Sequence, residues 1–212
     1  MMKNAIIWGA SGGIGRAILN KLNDDGWTSI AVVRDSNSIA SRADYVFEIP
    51  FDDPGRIEEA AYLISQEVGD IDIWCYAAGD ILDAKVSEMA PRDWNRIIMA
   101  NLTSAFYAIH YSLPLLSVDA HILFIGAVSE RLRLPRLSAY SASKAGLEAL
   151  AVALSKEERK KRITVVRPAA VATPLWDKVA FRLPANTATP EKVAAKILEA
   201  YHSGHQGQLD LV

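Results

Sequence analysis

AIIWGASGGIG, at residues 5–15, is a short apolar run that leads directly into a cluster of four glycines. The run predicts a buried strand, and the spacing of apolar residues over 14–22 predicts a helix that ends before Gly26. Glycines between a strand and a helix permit a tight turn. They also let a pyrophosphate approach backbone amides, where the positive end of the helix stabilises the anion. The segment therefore predicts an α/β fold that binds a phosphate-bearing ligand.

The spacing of these glycines differs from two common phosphate-binding patterns. It is not G-x-G-x-x-G, and Arg16 follows Gly15 where a nucleoside triphosphate-binding loop would have a Lys followed by Ser or Thr. Hydrolysis of nucleoside triphosphates is therefore disfavoured. A glycine turn needed only for packing is the alternative interpretation of this segment taken alone.

Short apolar runs alternate with segments of helical period along the rest of the chain. Strands are predicted at 5–8, 28–33, 45–49, 71–76, 121–126, 163–167 and 208–211. The clearest helix begins after Asp53-Pro54, two longer helices cover 94–113 and 138–159, and the last helix follows Pro190. Almost continuously apolar strands are typical of a parallel sheet covered by helices on both faces. Because a barrel of eight strands needs about 250 residues, we predict one doubly wound, Rossmann-like domain over 1–212.

Composition limits the partners and the compartment. The 212 residues are 50% hydrophobic and 23% charged with a net charge of −2, which gives no broad attraction to nucleic acid or anionic lipid. A single cysteine, Cys75, excludes an internal disulfide, and neither a signal peptide nor a stretch of about 18 apolar residues is found. We expect a cytoplasmic protein with no membrane or nucleic-acid partner. The scattered histidines are expected to be solvent-exposed, and no metal site is predicted.

Tyr140 and Lys144 lie four residues apart in YSASK, at the start of a predicted helix. This spacing places both side chains on one helical face. The usual tyrosine pKa is about 10, and a nearby cation favours the phenolate and lowers that pKa. The pair could therefore exchange protons with a substrate. A structural pair that arose by chance is the alternative when the spacing stands alone.

Taken together, these motifs resemble the short-chain dehydrogenase/reductase family over nearly the whole chain. GASGGIG at 9–15 is similar to the family's cofactor turn, DWNRIIMANLTSAFY at 93–107 to its central helix, YSASK at 140–144 to its Tyr-Lys motif, and RPAAVATP at 167–174 to its nicotinamide-binding segment. The resemblance implies hydride transfer between NAD(P)(H) and a small-molecule carbonyl or alcohol. It assigns proton exchange to Tyr140, lowering of the Tyr140 pKa and ribose binding to Lys144, and an ordered water to Asn101.

The resemblance also implies a set of cofactor-binding residues. They are Gly9, Ser11, Gly13, Ile14, Gly15, Arg34, Phe51, Ala78, Gly79, Tyr140, Lys144, Pro168, Val171 and Thr173. At the end of the second strand, an acidic residue would bind the ribose of NAD, whereas an arginine suits the 2′-phosphate of NADP. Because the sequence there is Val33-Arg34, NADP(H) is the predicted cofactor. The following Asp35 keeps NAD(H) as the alternative.

Several positions depart from the family pattern. The family's substrate-binding serine, thirteen residues before the tyrosine, corresponds to Ala127. Ser129 is either its replacement or an ordinary loop hydroxyl. Pro50 stands where the family has an adenine-contacting aspartate, for which the Phe51 amide or Asp52 is the substitute. Loss of one hydrogen-bond donor to a developing oxyanion costs about 10² to 10³ in rate. The second hypothesis is therefore a weakly active or non-catalytic dinucleotide-binding protein that acts as a redox sensor or in assembly.

Two further expectations concern the substrate and the assembly. The short segment 174–189, which includes Trp176, is expected to cover the substrate. The helix predicted at 138–159 is rich in alanine on adjoining faces, which permits close approach of a neighbouring helix. Because members of the resembling family associate through this helix and the one that follows Trp94, a homodimer or homotetramer is expected.

Overall fold

A central parallel sheet organises the structure, a computed structural model that describes residues 3–39, 42–128, 134–185 and 187–211. Within these ranges the sheet has seven strands in the order β3-β2-β1-β4-β5-β6-β7. Their bounds are Asn4–Trp8 (β1), Thr28–Val33 (β2), Tyr45–Glu48 (β3), Ile71–Tyr76 (β4), Leu116–Ile125 (β5), Arg162–Pro168 (β6) and Gly207–Leu211 (β7). All neighbouring strands pair in parallel, which confirms the predicted doubly wound fold.

Helices cover both faces of the sheet. Their bounds are Gly13–Asp24 (α1), Pro54–Glu67 (α2), Pro91–Ile98 (α3), Ser104–Ser112 (α4), Ser138–Glu157 (α5) and Pro190–His202 (α6). Apolar side chains of α1 and α6 pack in one buried cluster, and those of α2, α4 and α5 pack in another. Successive β1 residues alternate between the two clusters, because strand side chains point to opposite faces. Burial on both faces explains why the strand sequences are continuously apolar.

The helix ends follow local capping signals. Asp53, predicted to cap α2, accepts hydrogen bonds from the amides of Gly55 at 2.9 Å and Arg56 at 3.2 Å. Thr189 caps α6 in the same way, accepting from the amide of Lys192 at 3.3 Å. In both helices proline stands at the first position, where no amide proton is needed. Among the described residues, no helix is both long enough and apolar enough to cross a membrane.

Two element predictions need correction. The helix predicted over 94–113 begins at Pro91 and is divided by a π-helical turn, Met99–Thr103. Strand β5 begins at Leu116, five residues before the predicted start, because its first half is partly solvent-exposed and lacks a continuous apolar run. The buried second half of β5 could be predicted from its apolar run, but its partly exposed first half could not.

His121 was expected to be solvent-exposed, and that prediction is wrong. The ring lies in β5 with 0% of its surface exposed. Its Nε2 is 2.8 Å from Thr164 Oγ1, and the ring stacks on Tyr201 with centroids 6.0 Å apart. Burial, reinforced by the charge of Arg162, lowers the pKa of His121 to about 3. The imidazole is therefore neutral in the folded protein throughout the physiological pH range.

This buried imidazole makes stability depend on pH. An unfolded histidine takes up a proton below pH 6.5, whereas folded His121 does so only near pH 3. Protonation therefore favours the unfolded chain as pH falls, and we expect about 2 kcal/mol of unfolding free energy to be lost between pH 7 and pH 5. Urea unfolding of wild type and His121→Phe at both pH values measures this loss.

His121→Phe should remove most of that loss, because it has no imidazole to protonate. The variant should still fold, since Thr164 keeps a second partner in the carbonyl of His205 at 3.3 Å. His202→Gln, at an exposed position on α6, is the matched control and should keep the wild-type pH dependence. An unchanged pH dependence in His121→Phe would show that another group titrates.

Candidate active site

The glycine turn after β1 is shaped by close backbone contacts. Gly9 has φ +84°, and a Cβ there would lie 2.8 Å from Ala78 Cβ, so the ends of β1 and β4 approach closely. At Gly13 a Cβ would lie 2.6 Å from Thr173 Cγ2, because the segment after β6 crosses the start of α1. A side chain at either position would disrupt this junction.

Close packing explains the glycine at position 15, and its predicted contact with the cofactor stays a prediction. A Cβ on Gly15 would collide with the carbonyl oxygen of Gly9, beneath the turn rather than beside the open cleft. Gly15 is also absent from the cleft lining. Its glycine identity is therefore explained by packing of α1 under β1, as in the third glycine of other dinucleotide-binding turns.

A cleft of about 910 Å³ lies at the carboxyl ends of the strands. This is the end of a doubly wound sheet where ligands bind, at the point beside β1 where the strand order reverses. The predicted site residues that line the cleft are Gly9, Ser11, Gly13, Ile14, Arg34, Phe51, Ala78, Gly79, Asn101, Tyr140, Lys144, Pro168, Val171 and Thr173. Ser129 lies outside the described residues. The fold thus brings together residues from distant parts of the chain.

The turn at one end of this cleft fits a pyrophosphate. The first amides of an α-helix have no acceptor within the helix, and Gly12, at the N-cap of α1, has no side chain to accept from them. Ser11, Gly12 and Gly13 all line the cleft. The amides and the positive helix end can therefore serve an anionic ligand.

Tyr140 and Lys144 lie on the cleft-facing side of α5, and both are buried, at 8% and 5% exposure. Lys144 Nζ is 5.7 Å from the centroid of the Tyr140 ring. The same ammonium donates a hydrogen bond of 2.8 Å to the carbonyl oxygen of Ile125, at the end of β5. The two side chains therefore share a helical face, as their spacing predicts.

The expected lowering of the tyrosine pKa is not found in the protein alone. Burial raises the pKa of Tyr140 to about 12, because the phenol packs among apolar neighbours that include Ile81, Ile97 and Leu137. Burial also lowers the pKa of Lys144 to about 8. Near neutral pH the pair is therefore a protonated phenol beside a largely protonated amine, an arrangement suited to proton donation.

Asn101 lies in the π-helical turn between α3 and α4, and it is fully buried. Its Oδ1 accepts from the amide of Asp80 at 2.9 Å, and its Nδ2 donates to the Asp80 carbonyl at 2.8 Å. A Cβ on Gly79 would lie 2.6 Å from Asn101 Oδ1 and 3.7 Å from Lys144 Nζ. Gly79 therefore lets both side chains reach the end of β4. The role of Asn101 in holding a water stays a prediction.

The end of β2 places its two charged residues differently. Arg34 is exposed and lines the cleft. The Asp35 carboxylate accepts from the amide of Asn37 at 3.0 Å and caps a short 3₁₀ turn, Ser36–Ser38. Arg16, which the sequence patterns did not single out, also lines the cleft and donates to the Ser11 carbonyl at 2.9 Å. The cleft therefore presents cationic side chains at this end.

The position of the family's serine carries no hydroxyl. Ala127 is 8% exposed and lines the same cleft as Tyr140. The structure therefore places an alanine methyl group where the resemblance implies a donor to the substrate oxygen.

Two other charged residues, one lining the cleft and one beside it, were not predicted from the sequence. Lys178 lines the cleft, and its Nζ lies 2.7 Å from Asp80 Oδ1. Asp80 is 7% exposed and also forms an ion pair with Arg96. The position of Asp80 directly after Gly79 could have marked it as a site residue. Its partner Lys178, however, lies 98 positions away in the sequence.

Comparison with known proteins agrees with these features. The chain matches the short chain dehydrogenase family over residues 3–182. The 3-oxoacyl-[acyl-carrier-protein] reductase FabG of Escherichia coli (strain K12) is 32% identical over 171 residues, covering 77% of this chain and 70% of FabG. An uncharacterized oxidoreductase of Staphylococcus saprophyticus is 31% identical over 187 residues, covering 82% of this chain and 80% of that protein.

Solved structures show the same fold. The ligand-free aldohexose dehydrogenase of Thermoplasma acidophilum has a TM-score of 0.88 and 26% identity, covering 99% of this chain and 92% of that chain. An alcohol dehydrogenase from Thermococcus sibiricus, complexed with 5-hydroxy-NADP, has a TM-score of 0.91 and 21% identity, with coverage of 100% and 96%. From the family match, the sequence relatives and the shared fold, we conclude that this chain belongs to the short-chain dehydrogenase/reductase family.

Proposed function

We propose that this oxidoreductase uses NADP(H) to reduce a small-molecule carbonyl compound, with Tyr140 as the proton donor. The observation that supports this most directly is the meeting of Tyr140, Lys144 and the glycine turn in one cleft. The similarity to a reductase, FabG, supports the direction of reaction. The reverse reaction on an alcohol uses the same groups with Tyr140 as base.

The residues present fit a nicotinamide dinucleotide. The proposed contacts are Gly9, Ser11, Gly13, Ile14, Arg34, Phe51, Ala78, Gly79, Tyr140, Lys144, Pro168, Val171 and Thr173. The glycine turn and the uncapped start of α1 accept the pyrophosphate, and Lys144 holds the nicotinamide ribose. When bound, the cofactor supplies the hydride.

The protein supplies the proton, from Tyr140, and a positive charge, on Lys144, that stabilises the phenolate left behind. Tyr140 is protonated near neutral pH, and it gives its proton to the carbonyl oxygen as negative charge develops there. Lys144 is still largely an ammonium at pH 7, since its pKa is lowered only to about 8. Its charge stabilises the phenolate that remains on Tyr140. Asn101, on the neighbouring π-helical turn, holds a water that restores the proton.

Loss of nicotinamide absorbance with NADPH and a panel of carbonyl compounds tests this proposal. The panel should contain aldehydes, ketones, sugars and 3-oxoacyl thioesters, because related proteins are named for such substrates. Turnover above that of a Tyr140→Phe variant supports the reductase. Tight cofactor binding without turnover of any substrate contradicts it.

A second candidate function is dinucleotide binding with little catalysis. Ala127 is the specific observation that favours it, since the cleft lacks the expected hydroxyl at that position. Such a protein would bind NADP(H) at micromolar concentration and respond to its redox state without consuming it. The carbonyl panel separates this candidate from the reductase.

We infer a preference for NADP(H) over NAD(H) from the exposed Arg34 on the cleft wall. Arg34→Leu should weaken NADPH binding about ten- to a hundredfold, because hydrogen bonds to a charged group contribute about 1.5–3 kcal/mol. NADH binding should stay within about twofold, since NADH has no 2′-phosphate. Titration of each nucleotide by its fluorescence measures both affinities.

Arg42→Leu is the matched control, because Arg42 is also an exposed cation but lines a separate depression beside Trp27. It should leave the NADPH affinity unchanged. Equal weakening of NADPH and NADH by Arg34→Leu would argue against 2′-phosphate recognition and favour the NAD alternative.

Two coarser proposals complete the function. Residues 174–189, which we call the covering segment, shield the substrate, with Trp176 lining the cleft.

Assembly as a homodimer or homotetramer through α4 and α5 is supported by apolar side chains left half-exposed there, Phe106 at 46% and Val152 at 44%. Sedimentation velocity at micromolar concentration measures the assembly.

A further inference from the structure

The covering segment is attached to the loop that follows β4 at two points. Lys178 Nζ lies 2.7 Å from Asp80 Oδ1. Two residues further along, the amide of Ala180 donates a hydrogen bond of 2.9 Å to Asp83 Oδ2. Carboxylates of one loop therefore hold both ends of the turn where the covering segment passes over the cleft.

Asp80 also contacts the residue predicted to hold the catalytic water. Its main-chain amide and carbonyl bond the side chain of Asn101 at 2.9 Å and 2.8 Å. These bonds use the backbone of Asp80, whereas the bond to Lys178 uses its carboxylate. One residue thus connects the covering segment with the π-helical turn under the cleft.

The environment of the Asp80 carboxylate makes this connection more than an exposed ion pair. Asp80 is 7% exposed, and its Oδ1 also accepts from the amide of Ile81 at 2.9 Å. Arg96 of α3 holds the other oxygen. A buried carboxylate is stable only when it is paired and hydrogen-bonded. Lys178 is therefore held at a fixed, preorganised carboxylate, although half of its own side chain is exposed.

We propose that Asp80 is a positioning residue that docks the covering segment through Lys178 and thereby ties closure of the cleft to the placement of Asn101. The proposal rests on the proposed function for its effect on catalysis. Its structural part, docking of the segment by the Asp80–Lys178 pair, can be measured without any substrate.

Trypsin cleavage after Arg182 reports whether the segment is docked, because Arg182 is an exposed residue of the covering segment. Lys178→Met and Asp80→Asn should each raise the rate of this cleavage about tenfold, which corresponds to about 1.4 kcal/mol of docking free energy. The double variant should be cleaved no faster than the faster single variant, because both changes remove one shared interaction. Lys178→Arg should restore most of the protection.

Asp93→Asn is the matched control for the loss of a carboxylate. Asp93 also faces Arg96, at 3.8 Å, but the substitution leaves the Asp80–Lys178 pair in place. It should be cleaved at the wild-type rate. Wild-type cleavage rates in both Lys178→Met and Asp80→Asn, or fully additive effects in the double variant, would overturn the proposal.

The kinetic readout follows for any carbonyl substrate that is turned over. Lys178→Met should raise the substrate KM about tenfold while NADPH affinity changes less than about twofold, and Lys178→Arg should reverse the change. A purely structural role for the pair would not separate substrate KM from cofactor affinity. If no substrate is turned over, the proposed function fails while the proteolysis result still decides whether Asp80 docks the segment.

Discussion

Replacement of Tyr140 by phenylalanine should lower kcat/KM by about 10² to 10⁴, the range expected for loss of a general acid. The change removes only the phenolic oxygen. The ring keeps its packing against Ile81, Ile97 and Leu137, so the fold and the cleft should be preserved. NADPH affinity should fall by no more than about tenfold, because one hydrogen bond at most is lost, worth about 0.5–1.5 kcal/mol.

Steady-state kinetics with the best substrate of the panel and fluorescence titration of NADPH measure the two quantities. Tyr62→Phe is the matched control, since Tyr62 carries the same hydroxyl at a position 64% exposed on α2. It should have wild-type kinetics. Retention of activity in Tyr140→Phe would assign proton donation to another group.

The pH profile should have a direction set by the two buried groups. Tyr140, with a pKa raised to about 12, stays protonated over the measurable range and can donate a proton throughout. Lys144 loses its proton above about pH 8, and the phenolate left by the reaction then loses its stabilising charge. Reduction should therefore be steady below that pH and slow above it, and initial rates measured on both sides of that pH check the direction.

The sheet could be predicted from the sequence because both of its faces are buried. Strands such as Thr28–Val33 and Ile71–Tyr76 have the predicted bounds, since an apolar run marks every residue of a strand covered on both sides. The early start of β5 and the π-helical turn at Met99–Thr103 left no such pattern. Asn101 in this turn bonds the backbone of Asp80, which lies 21 positions away.

The glycine turn and the Tyr140–Lys144 pair were accessible because each depends on spacing within one short segment. His121 was interpreted incorrectly because its surroundings come from elsewhere in the chain, Thr164 in β6 and Tyr201 in α6. The pKa of Tyr140 is raised, rather than lowered as the spacing had predicted, for the same reason. Sequence spacing identifies the nearby cation, but the burial that dominates the pKa is a property of the packed fold.

Ala127→Ser should raise kcat/KM about ten- to a hundredfold, because a serine there supplies a hydroxyl on the wall of the cleft that Tyr140 also lines. Removal of one donor to a developing oxyanion costs about 10² to 10³ in rate, and an added donor in unrefined geometry should recover part of that factor. Ala127 lines the open cleft, so one extra oxygen can be accommodated. NADPH affinity should not change. The same carbonyl panel and nucleotide titration measure both effects.

Ala127→Val controls for the added volume, since it enlarges the side chain without providing a donor, and it should not raise the rate.

Ser129→Ala tests whether Ser129 already replaces the missing serine or is an ordinary loop residue. If Ser129 already supplies the donor, this variant should lose about 10² to 10³ in rate and Ala127→Ser should gain little. If Ser129 is an ordinary loop residue, its loss should be neutral and the gain from Ala127→Ser should appear in full. A large gain from a wild-type rate near background would then favour the binding function, because the serine would have supplied a group that efficient reduction needs.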